Sequence, residues 1–343
     1  MTAIGGMPDP TGAGLDTCTS RLETLVTTIA QVAQRAGVST ATVSRVLNGK
    51  PVRADLAQAV QRAAADLAYL PDRTARSLRR RYSDVVALIL PDIENPFFTS
   101  VARGVEDVAQ QAGLSVVLCN TDDEPAKEER YLSIAAGENM AGVILAPASA
   151  TPRLAPLTDK QRVVVVLDRP VSAEVDQVFF DNISLGREAT RRLLQRSFTR
   201  IACVTGPRRT STAVDRAAGW RAAMEEAGWA ADDALLRHVN FKVDGGRTAM
   251  RHLLDLADPP DAVLATNNLV GVGVLQKLVR TYGSTDHLGV GIIGDLPFAT
   301  SPVEGLTLVP LRPRELGVQA AQLFLERLRG DVEPARRVVV ADR

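Results

Sequence analysis

Residues 27–52 read TTIAQVAQRAGVSTATVSRVLNGKPV. Ile29, Val32, Ala33 and Ala36 recur at three- and four-residue spacing, the period of one helix face, and Thr28 supplies a capping hydroxyl. Gly37 stops this helix, since glycine takes the left-handed conformation that closes a helix at little steric cost. A second short helix starts at Ser39 as N-cap and turns Val43, Val46 and Leu47 inward, leaving Thr40, Ala41, Ser44, Arg45 and Asn48 for its other faces. A third is expected from about Arg53 to Ala68 on the stripe Leu56, Val60, Ala63, Ala64 and Leu67, ended by Pro71. Two short helices meeting at Gly37-Val38-Ser39 have the pattern of a helix-turn-helix.

The charge supports a polyanion partner for this segment. The 343 residues carry no net charge, yet residues 27–82 hold ten Lys/Arg against three acids, a surplus of seven that the rest of the chain balances. A compact basic module on an acidic remainder is the footprint of nucleic-acid binding rather than of a uniformly basic protein. With 45% hydrophobic and 23% charged residues, wholesale disorder and fibrous states are excluded. No apolar run reaches the roughly 20 residues of a membrane span, and the first residues lack a basic region followed by an apolar stretch, so a cytoplasmic location is expected. Cys18, Cys119 and Cys203 are too widely spaced for a disulfide framework or a zinc site. Cys119 and Cys203 sit in apolar runs and read as buried strand residues.

Residues 1–26, rich in Gly, Thr and Pro, show no sustained periodicity and read as a disordered tail. Residues 27–71 form the helix-turn-helix domain, and residues 72–83, containing DRTARSLRRRYS, a basic linker without a core of its own. From residue 84 the texture changes. VVALILP, LSVVLCN, GVILAP, RVVVVLD, RIACVTG, DAVLAT and LGVGIIG are short apolar runs separated by helical stretches, as in parallel sheets covered on both faces. The fold class is therefore a small all-α headpiece plus an α/β core of two doubly wound parallel-sheet subdomains. The first subdomain is expected over about 84–182 plus 313–330, and the second over about 183–312 plus 331–343.

The stretch AxxAGVSxxTVSRVLN, with Pro71 and the ARSL of residues 75–78, resembles the DNA-binding headpiece of the lactose-repressor (LacI/GalR) family of bacterial transcriptional regulators. LPDIENPFF, DRAAGW and TNNLVGVGVL extend the resemblance over about residues 27–340. It implies a periplasmic-binding-protein-like core, a homodimer on a pseudopalindromic operator, and a small-molecule effector of sugar type. In a helix-turn-helix the second helix meets base edges with its N-terminal residues, which makes Thr40, Ala41 and Arg45 the readers. Arg45 suits a bidentate bond to guanine, and Ala41 and the Thr40 methyl suit a thymine methyl. Thr28, Ser39, Thr42, Ser44 and Asn48 are candidates for phosphate or backbone contacts, though Asn48 serves equally to close its helix. Arg53 stands where relatives place a capping Ser, so the third helix should have a weaker or shifted cap. In the family, paired ARSL segments fold as hinge helices on DNA and wedge a leucine into the minor groove. Arg76 and Leu78 carry that role here, and off DNA the same segment reads as a flexible basic linker.

Open α/β sheets hold ligands beyond the carboxyl ends of their strands. Carried over by position, the effector candidates are Asp92, Phe97, Phe98, Asp168, Arg216, Phe241, Asn267 and Asp295. Their acids, arginine and amide suit sugar hydroxyls, and their aromatics suit an apolar ring face. The structural alternatives are Asp168 and Asp295 as caps of the next element, Phe97 or Phe98 as core, and Arg216 as the partner of Asp215 or Glu225. No cofactor or metal is expected. Gly289–Gly294 satisfies GxGxxG, but inside a strand rather than in a turn opening a helix, which argues against NAD. His238, His252 and His287 are scattered, and catalysis has no evident carrier, so the chain reads as a repressor and not an enzyme. Two alternatives share this core: a sugar-binding or carbohydrate-modifying enzyme with a basic arm, and a regulator answering to a protein partner. The hinge reading has a direct check. Leu78→Ser should weaken operator binding more than nonspecific binding and reduce the DNA bend in gel-shift assays; equal losses on both DNAs would leave only a basic linker.

Overall fold

The computed structural model describes residues 27–47, 49–69, 82–296 and 305–341. The expectations placed on residues 1–26, Asn48, Pro71, Arg76 and Leu78 lie outside these residues. The chain divides into two units, with the boundary after Arg73.

The first unit holds helices α1 (Ile29–Ala36), α2 (Thr40–Leu47) and α3 (Ala54–Asp66). A capping box opens α1: Gln31 N–H donates to Thr28 Oγ1 at 3.4 Å, and Thr28 N–H to Gln31 Oε1 at 2.7 Å. Gly37, at φ 65°, closes α1. The three helices share one small core of Val32, Ala33, Val43, Val60 and Ala63. Helix α3 ends at Asp66, before Ala68 turns left-handed at φ 45°, so it stops short of both Ala68 and Pro71. Arg53 makes no capping hydrogen bond and pairs instead with Asp55, as the missing serine leads one to expect.

The second unit contains two parallel sheets. The first half of the chain contributes β1 (Val85–Leu90), α4 (Pro96–Gln111), β2 (Ser115–Asn120), α5 (Pro125–Gly137), β3 (Gly142–Leu145), α6 (Ala155–Thr158), β4 (Val163–Leu167) and β5 (Asp176–Phe179). The second half contributes α7 (Asn182–Leu194), β6 (Ile201–Thr205), α8 (Ser211–Glu226), β7 (Leu236–His238), α9 (Val243–Leu254), β8 (Ala262–Ala265), α10 (Asn268–Tyr282), β9 (Gly289–Ile293) and β10 (Leu306–Val309). Helix α11 (Pro313–Leu328) and strand β11 (Arg337–Val339) complete it. Strand orders are β11-β5-β4-β3-β1-β2 and β10-β9-β8-β6-β7, parallel throughout. Because neighbouring strands run the same way, all their carboxyl ends open on one edge of each sheet.

Glycines set how closely the helices pack. A Cβ on Gly186 would lie 2.1 Å from the Arg216 carbonyl oxygen, and one on Gly219 2.1 Å from that of Ile183, so α7 and α8 touch backbone to backbone. Gly289 and Gly291, the core of the GxGxxG string, lie in β9, where a Cβ would strike Phe198 and Leu193. They make room for the side chains packed over the sheet.

The C-terminal segment corrects the expected partition. Chain order places residues 331–343 with the second subdomain, but β11 pairs with β5 and belongs to the first sheet. The reason is electrostatic. The Asp176 side chain, 1% exposed, takes a fork from Arg327 at 2.7 and 2.8 Å and the backbone N–H of Arg336 at 2.8 Å. Helix α11 packs on the first half, through α4 and β4, and the Asp176 cluster holds the strand that follows it on the same side. Burial pushes the Asp176 carboxyl up, but Arg327 and Arg336 outweigh it and hold the group below the usual carboxylate range. Its stabilisation is therefore complete above the unfolded value near 3.9 and is lost as pH falls below it. In urea titrations Asp176→Asn should cost about 3 kcal/mol at neutral pH, and the gap to the parent protein should narrow as the pH falls below roughly 3.9. A pH-independent gap would contradict the ion-pair account.

Candidate functional site

In the headpiece, the turn at Gly37-Val38-Ser39 sets α2 at the surface. Ser39 Oγ accepts from Thr42 N–H at 3.2 Å, which caps α2, and lies 3.0 Å from Thr42 Oγ1. Val43 is buried, whereas Thr40, Ala41 and Arg45 are exposed. One arginine amino group reaches the Pro51 carbonyl at 3.5 Å, a long contact that leaves the guanidinium at the surface. Thr28 is exposed at the start of α1, and Ser44 is half-buried.

In the core, the carboxyl ends of both sheets line one cavity of about 240 Å³. It collects all eight residues carried over by position: Asp92, Phe97, Phe98 and Asp168 from the first lobe, and Arg216, Phe241, Asn267 and Asp295 from the second. Phe98 is mostly core, at 5% exposed, with Phe97 packed edge-on at 5.0 Å and half-buried. Phe241 lies directly on the backbone of Gly206, where any Cβ would overlap its ring. Asn267 caps α10 by accepting from Val270 N–H at 2.8 Å, and its amide donates to the Phe241 carbonyl at 3.4 Å. Asp92 accepts from Glu94 N–H at 2.9 Å. Asp295 is exposed, and partial burial still pushes its carboxyl up.

Arg216 and Asp168 are buried. Arg216 does not bond Asp215 or Glu225; its Nε donates to Asn182 Oδ1 at 2.8 Å and one amino group to the Thr266 carbonyl at 2.6 Å. Asn182 opens α7 just after the first sheet, and Thr266 follows β8, so this guanidinium ties the crossover to the second sheet. Burial lowers its pKa, against the pull of Asp168 and Asp215. Asp168 has a left-handed backbone, φ 66°, at the end of β4, tolerable for Asp but rare elsewhere in ordered structure. Its N–H still donates to the Val178 carbonyl at 2.9 Å, and the next N–H, of Arg169, turns back to the Leu167 carbonyl at 2.7 Å. Burial pushes the Asp168 carboxyl up, opposed by Arg169 and Arg216.

Several cavity residues escaped sequence reasoning. Asp122, Asp123, Arg169, Asn240 and Lys242 all line it. Arg169 is buried and bonds Asp123 and, at 3.1 Å, the Pro147 carbonyl. The next residue of that loop, Ala148, donates its N–H to the buried Glu128 at 2.6 Å, and burial raises this acid. A rule that stops at the last strand residue ends at Asp168 and misses its neighbour. For Asp122 and Asp123 the signal was available: two consecutive acids directly after LSVVLCN.

A basic three-helix headpiece joined to a two-lobed parallel α/β core, with a polar cleft at the strand ends, defines a DNA-binding regulator that carries a small-molecule site. Comparison with known proteins supports that class. Residues 28–72 match the family of bacterial regulatory proteins of lacI type, and residues 83–338 match periplasmic binding proteins and the sugar-binding domain of the LacI family. The chain is 35% identical to the ribose operon repressor of Halalkalibacterium halodurans, across 88% of this chain and 91% of that protein. It is 34% identical to the HTH-type transcriptional regulator CelR of Thermobifida fusca, across 91% and 95%. Among solved structures, a CelR–cellobiose complex superposes with a TM-score of 0.68 at 31% identity, covering 92% of this chain and 97% of that one. The lac repressor dimer bound to operator and the anti-inducer ONPF gives 0.80 at 20% identity, covering 91% and 96%, a likeness of fold. The chain belongs to the LacI family and is a DNA-binding transcriptional regulator; its relatives are regulators and not enzymes. Among the described residues, no helix is long and apolar enough to cross a membrane.

Proposed function

We propose that this regulator is a cytoplasmic homodimeric repressor of carbohydrate-related genes that binds a pseudopalindromic operator and answers to a sugar or sugar derivative in the cleft. The observation that carries this reading is the presence, in one chain, of an exposed α2 on a basic headpiece and a polar cleft between two lobes. Thr40, Ala41 and Arg45 read bases. Thr28, Ser39, Thr42, Ser44 and Asn48 serve phosphates, and Arg76 and Leu78 the operator centre. Asp92, Phe97, Phe98, Asp168, Arg216, Phe241, Asn267 and Asp295 hold the effector. The ligand acts by favouring one arrangement of the lobes, which biases hinge folding and operator affinity.

Strand β2 supports the homodimer. It is an edge strand whose Val117 and Leu118 are 41% and 48% exposed, beside Ile93 at 40%. An apolar edge of this kind invites pairing unless covered, and a second copy covers it symmetrically. Leu118→Glu should turn a dimer into a monomer in analytical ultracentrifugation and lower affinity for a two-half-site operator, while the secondary-structure content is kept. A dimer that persists would place the interface elsewhere.

Selection of binding sites from genomic DNA tests the whole reading, with a two-half-site palindrome as the expected product. On the selected operator, Arg45→Ala should cost about 1–3 kcal/mol and relax one base position per half-site. An unchanged binding profile would remove Arg45 from the readers.

A further inference from the structure

The cleft is charged by lobe. Among its lining residues the first lobe gives four acids and one cation, whereas the second gives the cations Arg209, Arg216 and Lys242 against the single acid Asp295. Arg209 and Lys242 are exposed, and neither forms an ion pair among the described residues. Arg209 lies two residues before the start of α8, and the amino end of that helix is open. Helices α4 and α10 also begin at this cavity, and each is closed by a side chain: Asn95 accepts from Phe97 N–H at 3.0 Å, and Asn267 from Val270 N–H at 2.8 Å. At α8, Thr210 makes no capping bond and the first turn holds no acid. The Thr210 carbonyl takes the N–H groups of Ala213 and Val214, so those of Ser211 and Thr212 have no acceptor among the described residues. Thr212, 4% exposed, lines the cavity, and its hydroxyl has no hydrogen-bond partner among the described residues either. Buried polar groups are nearly always partnered, so an open hydroxyl beside open N–H groups marks a place where a ligand supplies what is missing.

These donors favour one sign of charge. A helix amino end presents backbone N–H groups and the positive pole of its dipole, which together suit an anion. An arginine and a lysine near it add charge-assisted hydrogen bonds to the oxygens of a phosphate or a carboxylate. A lone hydroxyl could accept from one of these donors, but it would leave the cations and the helix pole unneutralised. An ammonium would be repelled. The opposite wall sets a second condition. Asp168 is buried there, and a carboxylate only accepts, so the part of the ligand that faces it must carry donors such as hydroxyls. The segregation of charge thus gives the ligand a direction, with hydroxyls toward the first lobe and its anion toward the second. A cavity of about 240 Å³, below the roughly 300–1,000 Å³ of sites for drug-sized ligands, restricts it to a small molecule.

We propose that the effector is an anionic sugar derivative, a phosphate ester or a sugar acid, whose charged group sits over the amino end of α8 and is held by the Ser211 and Thr212 N–H groups, the Thr212 hydroxyl, Arg209 and Lys242. This rests on the cleft being the effector site. It assigns the ligand a charge and adds Arg209 and Lys242 as specificity-determining residues.

Thermal melts of the full-length protein in a phosphate-free buffer test it, with compounds paired by charge: D-ribose with ribose 5-phosphate, D-glucose with glucose 6-phosphate, gluconate and glucuronate, and D-galactose with galacturonate. At least one anionic compound should raise the melting temperature beyond its neutral parent at equal concentration. Whether that compound is an ester or an acid tells which anion the site takes. By calorimetric titration with it, Arg209→Gln and Lys242→Gln should each weaken binding about 10-fold at low salt, and added sodium chloride should weaken binding to the parent protein. Both side chains are exposed, so the unliganded variants should melt like the parent. The proposal is overturned if no anionic compound stabilises the protein, if a neutral sugar matches or exceeds its charged counterparts, or if both variants bind the anion like the parent. Operator binding by gel shift on the same preparation tests the regulator reading separately: a protein that shifts its operator yet responds only to neutral sugars loses this inference and keeps that reading.

Discussion

Two opposed buried charges, Asp168 at the end of β4 and Arg216 in α8, set the terms for the rest of the core. One comes from each lobe, each loses solvation on burial, and both face one cavity. Left without a polar partner between them, such groups are costly in a weakly polarisable interior. Arg216 meets part of the cost through Asn182 and Thr266, while Asp168 has no side-chain hydrogen bond among the described residues. On the proposed reading, a polar ligand joining the two would favour one arrangement of the lobes over another. That differential affinity is the whole physical content of an effector's action.

The architecture brings these two groups to one cavity. Parallel strands deliver their carboxyl ends to a common edge, so Asp92, Asp168, Asn267 and Asp295 arrive at one cleft although they are spread over most of the core sequence. Arg216 is placed by a helix pair that the glycines Gly186 and Gly219 allow to touch. The Asp176 cluster fastens the C-terminal strand to the first sheet after the chain has returned from the second. The chain thus crosses between lobes more than once.

Much of this was legible in the residues. Strands such as VVALIL and VVVVL announce themselves because a strand buried on both faces needs an unbroken apolar run. The four short strands β5, β7, β10 and β11 do not, since DQVF, LRH, LTLV and RVV have no intrinsic pattern and become strands by pairing with a preformed neighbour. The same limit explains the misplaced C-terminal segment: order along the chain favours the nearer subdomain, and only the three-dimensional meeting of Asp176, Arg327 and Arg336 reverses it. In the cleft, strand-end position found Asp168 but not Arg169, which a tight turn after the strand brings into the cavity wall.

The central claim, that occupancy of the cleft controls the grip on DNA, is a statement about reciprocal coupling. The direct measurement is a thermodynamic cycle: operator affinity with and without saturating effector, and effector affinity with and without saturating operator. If the two sites are coupled, each ligand should change the other's Kd by the same factor, about 5-fold or more. Equal affinities in the presence and absence of the second ligand would show two independent binding activities on one chain and would contradict it.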